Sequence, residues 1–389
     1  MSYAFFKKLL PVLGVVFVAA SVNAAETTIN GFASIVGGKA LNSVELPNGE
    51  ESRYVADRGY ATTEAGAANK NAIYGDHLSY RPDSNYGLQI KSDLNRDLTV
   101  TAQLTGRGAQ DFETELEWVY MSYDLTSSFT VQAGRQRIPL YYYSDFVDVG
   151  YAYHWVRPPV DVYSNTLRTY EGVSLIHNGQ LGNWTTKTRV YTGTTSNKTS
   201  RFGNFSSDGI MGAVFNVNNE WLRLRASVID GEFYIGGNPL TGEDNPQDGQ
   251  FVSLAANLTL GNGFVMAEAT GGKMADDGFL VVSSNGEFVP LDELGSLMLT
   301  AGYQFGDFTP HISYSDSNVN FSPALDPSIG DWYIKTETLT AGLRWDFHPS
   351  AAFKIEYAST ADTSHDGVVF VRGKVDEVDV ITFGVDLLF

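Results

Sequence analysis

Cysteine is absent from all 389 residues, which excludes disulfide frameworks, thiolate metal sites and thiol nucleophiles. Basic residues are scarce: 26 Lys and Arg stand against 45 Asp and Glu, a formal net charge of −19. A surface of that sign repels a phosphate backbone, so nucleic acid is not an expected partner. Long apolar runs are missing as well. The one candidate, Leu9 to Ala20, falls short of the ~20 residues a helix needs to cross ~30 Å of hydrocarbon. Mean hydropathy is −0.14, too polar for a bundle of membrane helices. It does not exclude a membrane β-barrel, whose lipid contact is hidden in every second residue.

What precedes and follows that apolar run has the order of an export signal. Lys7 and Lys8 come first, and Val22-Asn23-Ala24 supplies small residues before Ala25. Residues 1–24 are expected to be a cleaved signal peptide, with 25–389 as the mature chain. Losing Lys7 and Lys8 takes the formal net charge from −19 to −21.

The mature chain alternates apolar and polar residues in windows that predict strands at 27–36, 85–95, 97–107, 112–124, 128–137, 170–178, 184–193, 207–217, 220–231, 250–260, 263–273, 296–306, 307–316, 334–347, 351–360 and 377–389. That is about sixteen, an even number. The connections alternate between tight and long. Tight turns fall at Asn95-Arg96-Asp97, Thr126-Ser127, Asn178 to Asn183, Asn218-Asn219, Gly261-Asn262-Gly263, Gly306-Asp307 and His348-Pro349-Ser350, with turn chemistry at each. Long polar ones fall at 37–84, 138–169, 194–206, 232–249, 274–295, 317–333 and 361–376, with a short one near 108–111. Sorting two kinds of loop to opposite ends is what an antiparallel barrel does. Both termini then belong at the tight-turn, periplasmic end.

Parity assigns the faces. Leu98, Val100, Ala102 and Leu104, then Leu116, Trp118 and Tyr120, then Leu222, Leu224, Ala226 and Val228, then Leu339, Ala341, Leu343, Trp345 and Phe347 are expected to face lipid. Thr99, Thr101, Gln103 and Thr105, with Ser227, Thr338, Thr340, Gly342 and Glu356, fall on the other face, so the interior is expected to be polar and wet. Phe129, Trp184, Phe215, Phe305, Phe308, Phe347, Phe353 and Phe389 gather beside tight turns, as a periplasmic aromatic girdle would. In the last strand Ile381, Phe383, Val385, Leu387 and Phe389 share one face, and the terminal residue is aromatic.

With these features in place, the mature chain resembles the Gram-negative general porins of the outer membrane. Its most specific segment, from Gly134 to Ser164, reads GRQRIPLYYYSDFVDVGYAYHWVRPPVDVYS and is similar to one in a group of largely uncharacterised porin-like proteins. The resemblance implies a sixteen-stranded barrel with eight loops and seven periplasmic turns, a homotrimer built through the early strands, and a third loop folded inward as the constriction. It also implies that the strand ending in Phe383, Val385, Leu387 and Phe389 is the signal read by the barrel-assembly machinery. The third loop here lacks the Pro-Glu-Phe-Gly-Gly text common in the best-known general porins, so constriction residues are not carried over one by one.

By count the third long loop is 138–169. It carries Asp145, Asp148 and Asp161 with Arg157 and Arg168, interleaved with Tyr141, Tyr142, Tyr143, Tyr151, Tyr153, His154 and Trp155. So aromatic a loop needs a surface to pack on, and folding inward supplies one. Basic residues of inward parity are Lys91, Arg107, Lys187, Arg189, Arg223, Arg225, Arg344 and Lys354, some of them expected to face the loop's carboxylates. Glu113, Glu115 and Glu117 alternate on an inward face and favour cations. Arg135 and Arg137 fall on the outward parity, requiring a bulge at Gly134 or a subunit contact. Each charge has a plainer role open to it, bracing the loop by pairing.

Enzymatic readings are poorly supported. His311 with Ser313 and Ser315 has inward parity, whereas an outer-membrane lipase needs its Ser and His at the lipid face, and the remaining histidines are scattered, so no cofactor or metal is expected. The expectation is a water-filled outer-membrane channel for passive diffusion of small hydrophilic solutes and ions, in contact with lipid and lipopolysaccharide. Two alternatives stay open: a channel selective for sugars or for anionic or aromatic molecules, and a plugged barrel that acts as a surface-interaction protein.

Overall fold

The computed structural model describes residues 26–42, 54–55, 73–163, 168–200, 203–236, 246–274, 280–282, 288–321, 332–363 and 377–389. The expected signal segment, most of 37–84 and the acidic stretch 364–376 lie outside them. Sixteen long strands make the wall: β1 (Glu26–Ala40), β2 (Asn85–Asp93), β3 (Leu98–Arg107), β4 (Thr114–Asp124), β5 (Phe129–Arg137), β6 (Thr169–Leu181), β7 (Trp184–Ser200), β8 (Gly203–Asn218), β9 (Leu222–Gly236), β10 (Pro246–Leu260), β11 (Gly263–Met274), β12 (Phe288–Tyr303), β13 (Phe308–Phe321), β14 (Trp332–His348), β15 (Ala351–Asp362) and β16 (Glu377–Leu388). Each pairs antiparallel with the next, and Phe32–Ala40 of β1 runs against Leu388–Val380 of β16, so the sheet closes on itself. Closure leaves no strand edge unpaired, which is what makes a sheet tolerable in lipid.

All sixteen alternating windows coincide with strands, but several strands run further at the long-loop end. β7 reaches Ser200 and β12 begins at Phe288. Apolar alternation is needed only where one face meets lipid, whereas the hydrogen-bond ladder continues beyond it. At the other end, side chains satisfy the turn backbone. Asn95 Oδ1 accepts from the amides of Asp97 and Leu98, both at 2.9 Å, and Asn219 Oδ1 accepts from Trp221 at 3.0 Å and Leu222 at 2.8 Å. Gly182, Gly261 and Gly306 sit at φ near +60°, where other residues are strained.

The outward face is apolar and exposed along Leu224, Leu254, Leu299, Leu339, Leu343 and Ile355. Aromatic rings crowd it at the tight-turn end, where Phe308 stacks on Trp345 at 5.8 Å and Trp184 meets Trp221 at 6.1 Å. In β16, Phe383, Val385 and Leu387 keep the outward parity while Thr382 and Asp386 are buried inside.

β4 departs from the expected parity. Its register against β3 jumps from Gln103↔Trp118 to Leu104↔Leu116, so Glu117 is an extra residue, a β-bulge. Glu117 and Trp118 both become buried, and from there the faces exchange: Val119, Met121 and Tyr123 are exposed outward, while Ser122 turns inward to accept from Gln132 at 2.9 Å. Trp118 and Tyr120, expected on the lipid face, are therefore inside, because one inserted residue flips everything after it. The kink needs room on β5. A Cβ on Gly134 would stand 2.5 Å from the Val119 carbonyl oxygen, and Gly134 has φ of +129°.

The bulge makes a direct prediction in a chain without cysteine. Single cysteines at Val119 and Met121 should react with a membrane-soluble maleimide in outer membranes, and one at Tyr120 should not. Labelling at Tyr120 with protection at Met121 would restore the unbulged register.

Candidate functional site

The connection between β5 and β6 is here called L3, and its described residues, 138–163 and 168, lie against the inward side chains of the wall. It contains two short turns of 3-10 helix, Ser144–Phe146 and Gly150–Ala152, and one turn of α-helix, α1 (Val160–Tyr163). Under it the wall is apolar rather than polar: Ile210, Val214, Ile229, Phe233, Met266 and Met298 have inward parity and are buried with Tyr141, Tyr143, Trp155 and Val162 of L3. Tyr143 is the hub, with ring centroids 5.3 Å from Phe146, 5.5 Å from Trp155 and 5.8 Å from Tyr153. These edge-on aromatic contacts explain why so aromatic a loop leaves the solvent.

Irregular backbone inside a barrel needs donors for its carbonyls, and the wall's cations supply them. Arg225 Nη2 donates to Pro139 O at 2.7 Å, and the Ser227 hydroxyl donates to Leu140 O. Lys354 Nζ donates to Gly150 O at 2.7 Å and Trp155 O at 2.6 Å, and pairs with Asp386 at 2.7 Å. Arg344 Nη1 donates to Tyr151 O at 2.8 Å and Tyr153 O at 2.7 Å, while Nη2 holds Asp346 at 2.6 Å. Arg344 and Lys354 thus bind L3 through its backbone instead of facing its carboxylates.

The strongest anchor is ionic. Arg107 grips Asp148 with two parallel bonds, Nε to Oδ1 at 2.9 Å and Nη2 to Oδ2 at 2.8 Å, and reaches Glu117 at 2.5 Å. Arg137 holds Asp148 at 2.5 Å and Glu117 at 3.0 Å. None of these four side chains is more than 7 % exposed. Two cations and two carboxylates neutralise one another, which is the condition for keeping charges out of water. The Arg137 guanidinium lies 5.2 Å from the Trp118 ring. Arg137, whose parity required a bulge at Gly134 or a subunit contact, turns inward beyond the end of the β4–β5 ladder at Val119↔Arg135. Arg135 stays half-exposed, 3.5 Å from Glu171.

The other expected site residues are spread around L3. Asp161 in α1 accepts from Ser315 at 2.6 Å and Thr336 at 2.7 Å, facing hydroxyls rather than a cation; burial raises its pKa against the pull of those donors. Arg157 Nη1 lies 3.4 Å from Asp83, which also accepts from Tyr74 at 2.8 Å. Arg168 closes the base of the loop, its carbonyl accepting from Ile138 at 2.8 Å. Tyr153 is buried and donates to Val147 O at 3.0 Å, and Tyr151 reaches the tight turn at Pro349 O at 2.9 Å. His154 lies 5.1 Å from the His311 ring, and burial, then His311, Lys354 and Arg344, lower its pKa well below the usual value, so it is neutral. His311 and Ser313 are covered by L3.

The remaining charges stay open to water. Asp145 is 53 % exposed, 4.0 Å from Arg189. Lys187, Arg223 and Glu115 are exposed, and Glu113 precedes β4. Lys91 pairs with Asp93 at 3.3 Å, away from L3. Tyr142 is partly buried, its amide donating to Glu268 Oε1 at 2.9 Å. Glu268 itself was not singled out from the sequence, although a lone carboxylate of inward parity among Met266 and Thr270 marks it. It also accepts from Ser253 at 2.8 Å and from the Tyr163 hydroxyl, whose pKa burial and Glu268 both raise, keeping it a donor.

No family model matches the sequence, and no curated protein does. Solved structures match over almost the whole chain. Salmonella typhi OmpF in complex with daunomycin aligns with a TM-score of 0.59 at 12 % identity, covering 94 % of this chain and 98 % of that one. The anion-selective porin from Comamonas acidovorans gives 0.57 at 13 %, covering 94 % and 100 %. The outer-membrane channel DcaP of Acinetobacter baumannii gives 0.58 at 10 %, covering 94 % and 98 %. At these identities the likeness is one of architecture, and the architecture is the sixteen-stranded antiparallel barrel of the outer-membrane porins.

Proposed function

We propose that this chain is an outer-membrane porin: a water-filled passage for passive diffusion of small hydrophilic solutes and ions, narrowed by L3, with no enzymatic step. The observation that carries the reading is the asymmetry of the lumen. L3 is bonded to the wall at β3, β5, β9, β13, β14 and β15, while Asp145, Lys187 and Arg223 remain exposed. Charges held on both sides of a narrow gap act on solutes by size and by field and break no bond. Export with removal of residues 1–24, assembly through the C-terminal strand by the barrel-assembly machinery, contact with lipopolysaccharide and a homotrimer belong to the same reading. The trimer takes support from a structural neighbour, OmpT of Vibrio cholerae, described in a trimer form.

Purified protein in a planar bilayer should give stepwise ohmic openings, grouped in threes. A folded, heat-modifiable barrel that carries no current would instead establish the plugged barrel, which the aromatic packing under L3 favours.

The ionic anchor gives a second expectation. Asp148→Ala leaves Arg107 and Arg137 buried with one carboxylate between them, and breaking a buried pair in this way costs about 3–5 kcal/mol. The variant should unfold at lower temperature in a heat-modifiability gel and show noisier, larger openings with a higher solute-size limit. Openings identical to those of the unaltered protein would mean that Asp148 does not hold L3.

A further inference from the structure

We propose that residues 149–157 of L3 form an acid-released arm at the tight-turn end of the lumen, with His154 as its proton sensor. The arm runs between two fixed points. Asp148 is held by Arg107 and Arg137 before it, and Asp161 by Ser315 and Thr336 after it. Between them the chain dips to the floor of the barrel. Tyr151 donates there to Pro349 O at 2.9 Å in a tight turn, and the His154 ring lies 4.5 Å from Phe264, the second residue of β11.

His154 is seated as an uncharged aromatic. Its ring packs 4.1 Å from Trp155 and 5.1 Å from His311 of β13, and its Nε2 is buried with no hydrogen-bond partner. The charges around it oppose a proton. Arg344 of β14 and Lys354 of β15 already donate to the arm's own carbonyls, and the carboxylates beside them, Asp346 and Asp386, are engaged by those two cations. Glu356 of β15 is bonded to His311 Nε2 at 3.1 Å. Gly342 of β14 makes room for that bond, since a Cβ there would stand 2.4 Å from the same nitrogen. β11 contributes the uncharged Phe264 ring. Burial, then His311, Lys354 and Arg344, hold the His154 pKa well below its usual 6.5. The residue as a whole is half-buried, so a proton reaches it without a pocket for any larger solute.

Linkage gives the direction. A released ring has its ordinary pKa and is protonated below about pH 6.5, whereas the seated ring is not. Falling pH therefore favours release, by about tenfold for each unit below 6.5 until the seated ring itself takes the proton. Above 6.5 both states are neutral and His154 exerts no pH dependence. With both ends fixed and the wall behind it, a released arm can move only into the lumen. Acid is thus expected to interrupt the current, a readout that rests on the porin reading, while release itself does not.

Val156 is 3 % exposed within the arm, and the chain has no cysteine. Val156→Cys therefore reports release through its reaction with dithiodipyridine, a thiol reagent active in acid, compared at each pH with the same variant heat-unfolded in detergent. Protection should be constant from about pH 8 to 6.5 and fall about tenfold per unit below that. Openings in a planar bilayer should show brief interruptions that become frequent over the same range. Adding His154→Phe, which keeps a ring against Trp155 and Phe264 and cannot be charged, should make protection and current indifferent to pH; His154→Gln should do the same if the larger ring lowers the yield of folded barrel. Protection that stays flat down to about pH 4.5 overturns the arm, and protection that falls equally in the His154 variants overturns His154 as its sensor. Acid-dependent loss of protection with uninterrupted current overturns the obstruction of the lumen. Absence of current at every pH overturns the porin reading, and the thiol measurement still decides the arm.

Discussion

Asp148 is the constraint on which the interior of this barrel depends. A long loop entering a lumen must exchange water for wall contacts along irregular backbone, and its position is defined only if something directional holds its middle. The two-point bond from Arg107 and the third contact from Arg137 supply that direction. They work because Glu117 completes the charge balance, so that four buried ionic groups sum to zero. Glu117 reaches that place only through the β4 bulge, and the bulge fits only against a glycine at 134. A backbone irregularity in the wall is thus what seats the loop.

From that anchor L3 extends along the lumen under a division of labour. Aromatic side chains bury themselves on the apolar patch of β8 to β12, while Arg225, Arg344 and Lys354 satisfy carbonyls that no strand partner can reach. Part of the interior becomes a packed core, while Lys187 and Arg223, on strands that flank β8, stay exposed.

The architecture was legible in the sequence because lipid enforces it. Strand count and turn placement follow from period-two alternation and turn residues, and both matched the structure. Parity assigned Arg107, Arg189, Arg225, Arg344 and Lys354 to the inward face, and each of them contacts L3. It failed at Trp118 and Tyr120, since a bulge leaves no mark in hydropathy and inverts every face after it. Roles were harder than faces. Arg344 and Lys354 carry the same charge as Lys187, and only the path of L3 decides that the first two bind carbonyls while the last stays in water. The inward face of β8, β11 and β12 was expected to be polar, and its apolar residues became intelligible only as the seat of Tyr143 and Trp155.

The central claim, that L3 is held inside the barrel against its wall, has a direct test that exploits the absence of cysteine. Asp161 of α1 and Ser315 of β13 are 2.6 Å apart at their side-chain tips, within reach of a disulfide after substitution. In outer membranes, a D161C/S315C variant should form an intramolecular cross-link on mild oxidation, seen as protection of both thiols from alkylation that is reversed by reductant. Two thiols that remain alkylatable in folded barrels after oxidation would mean that L3 does not lie where the Asp148 anchor puts it.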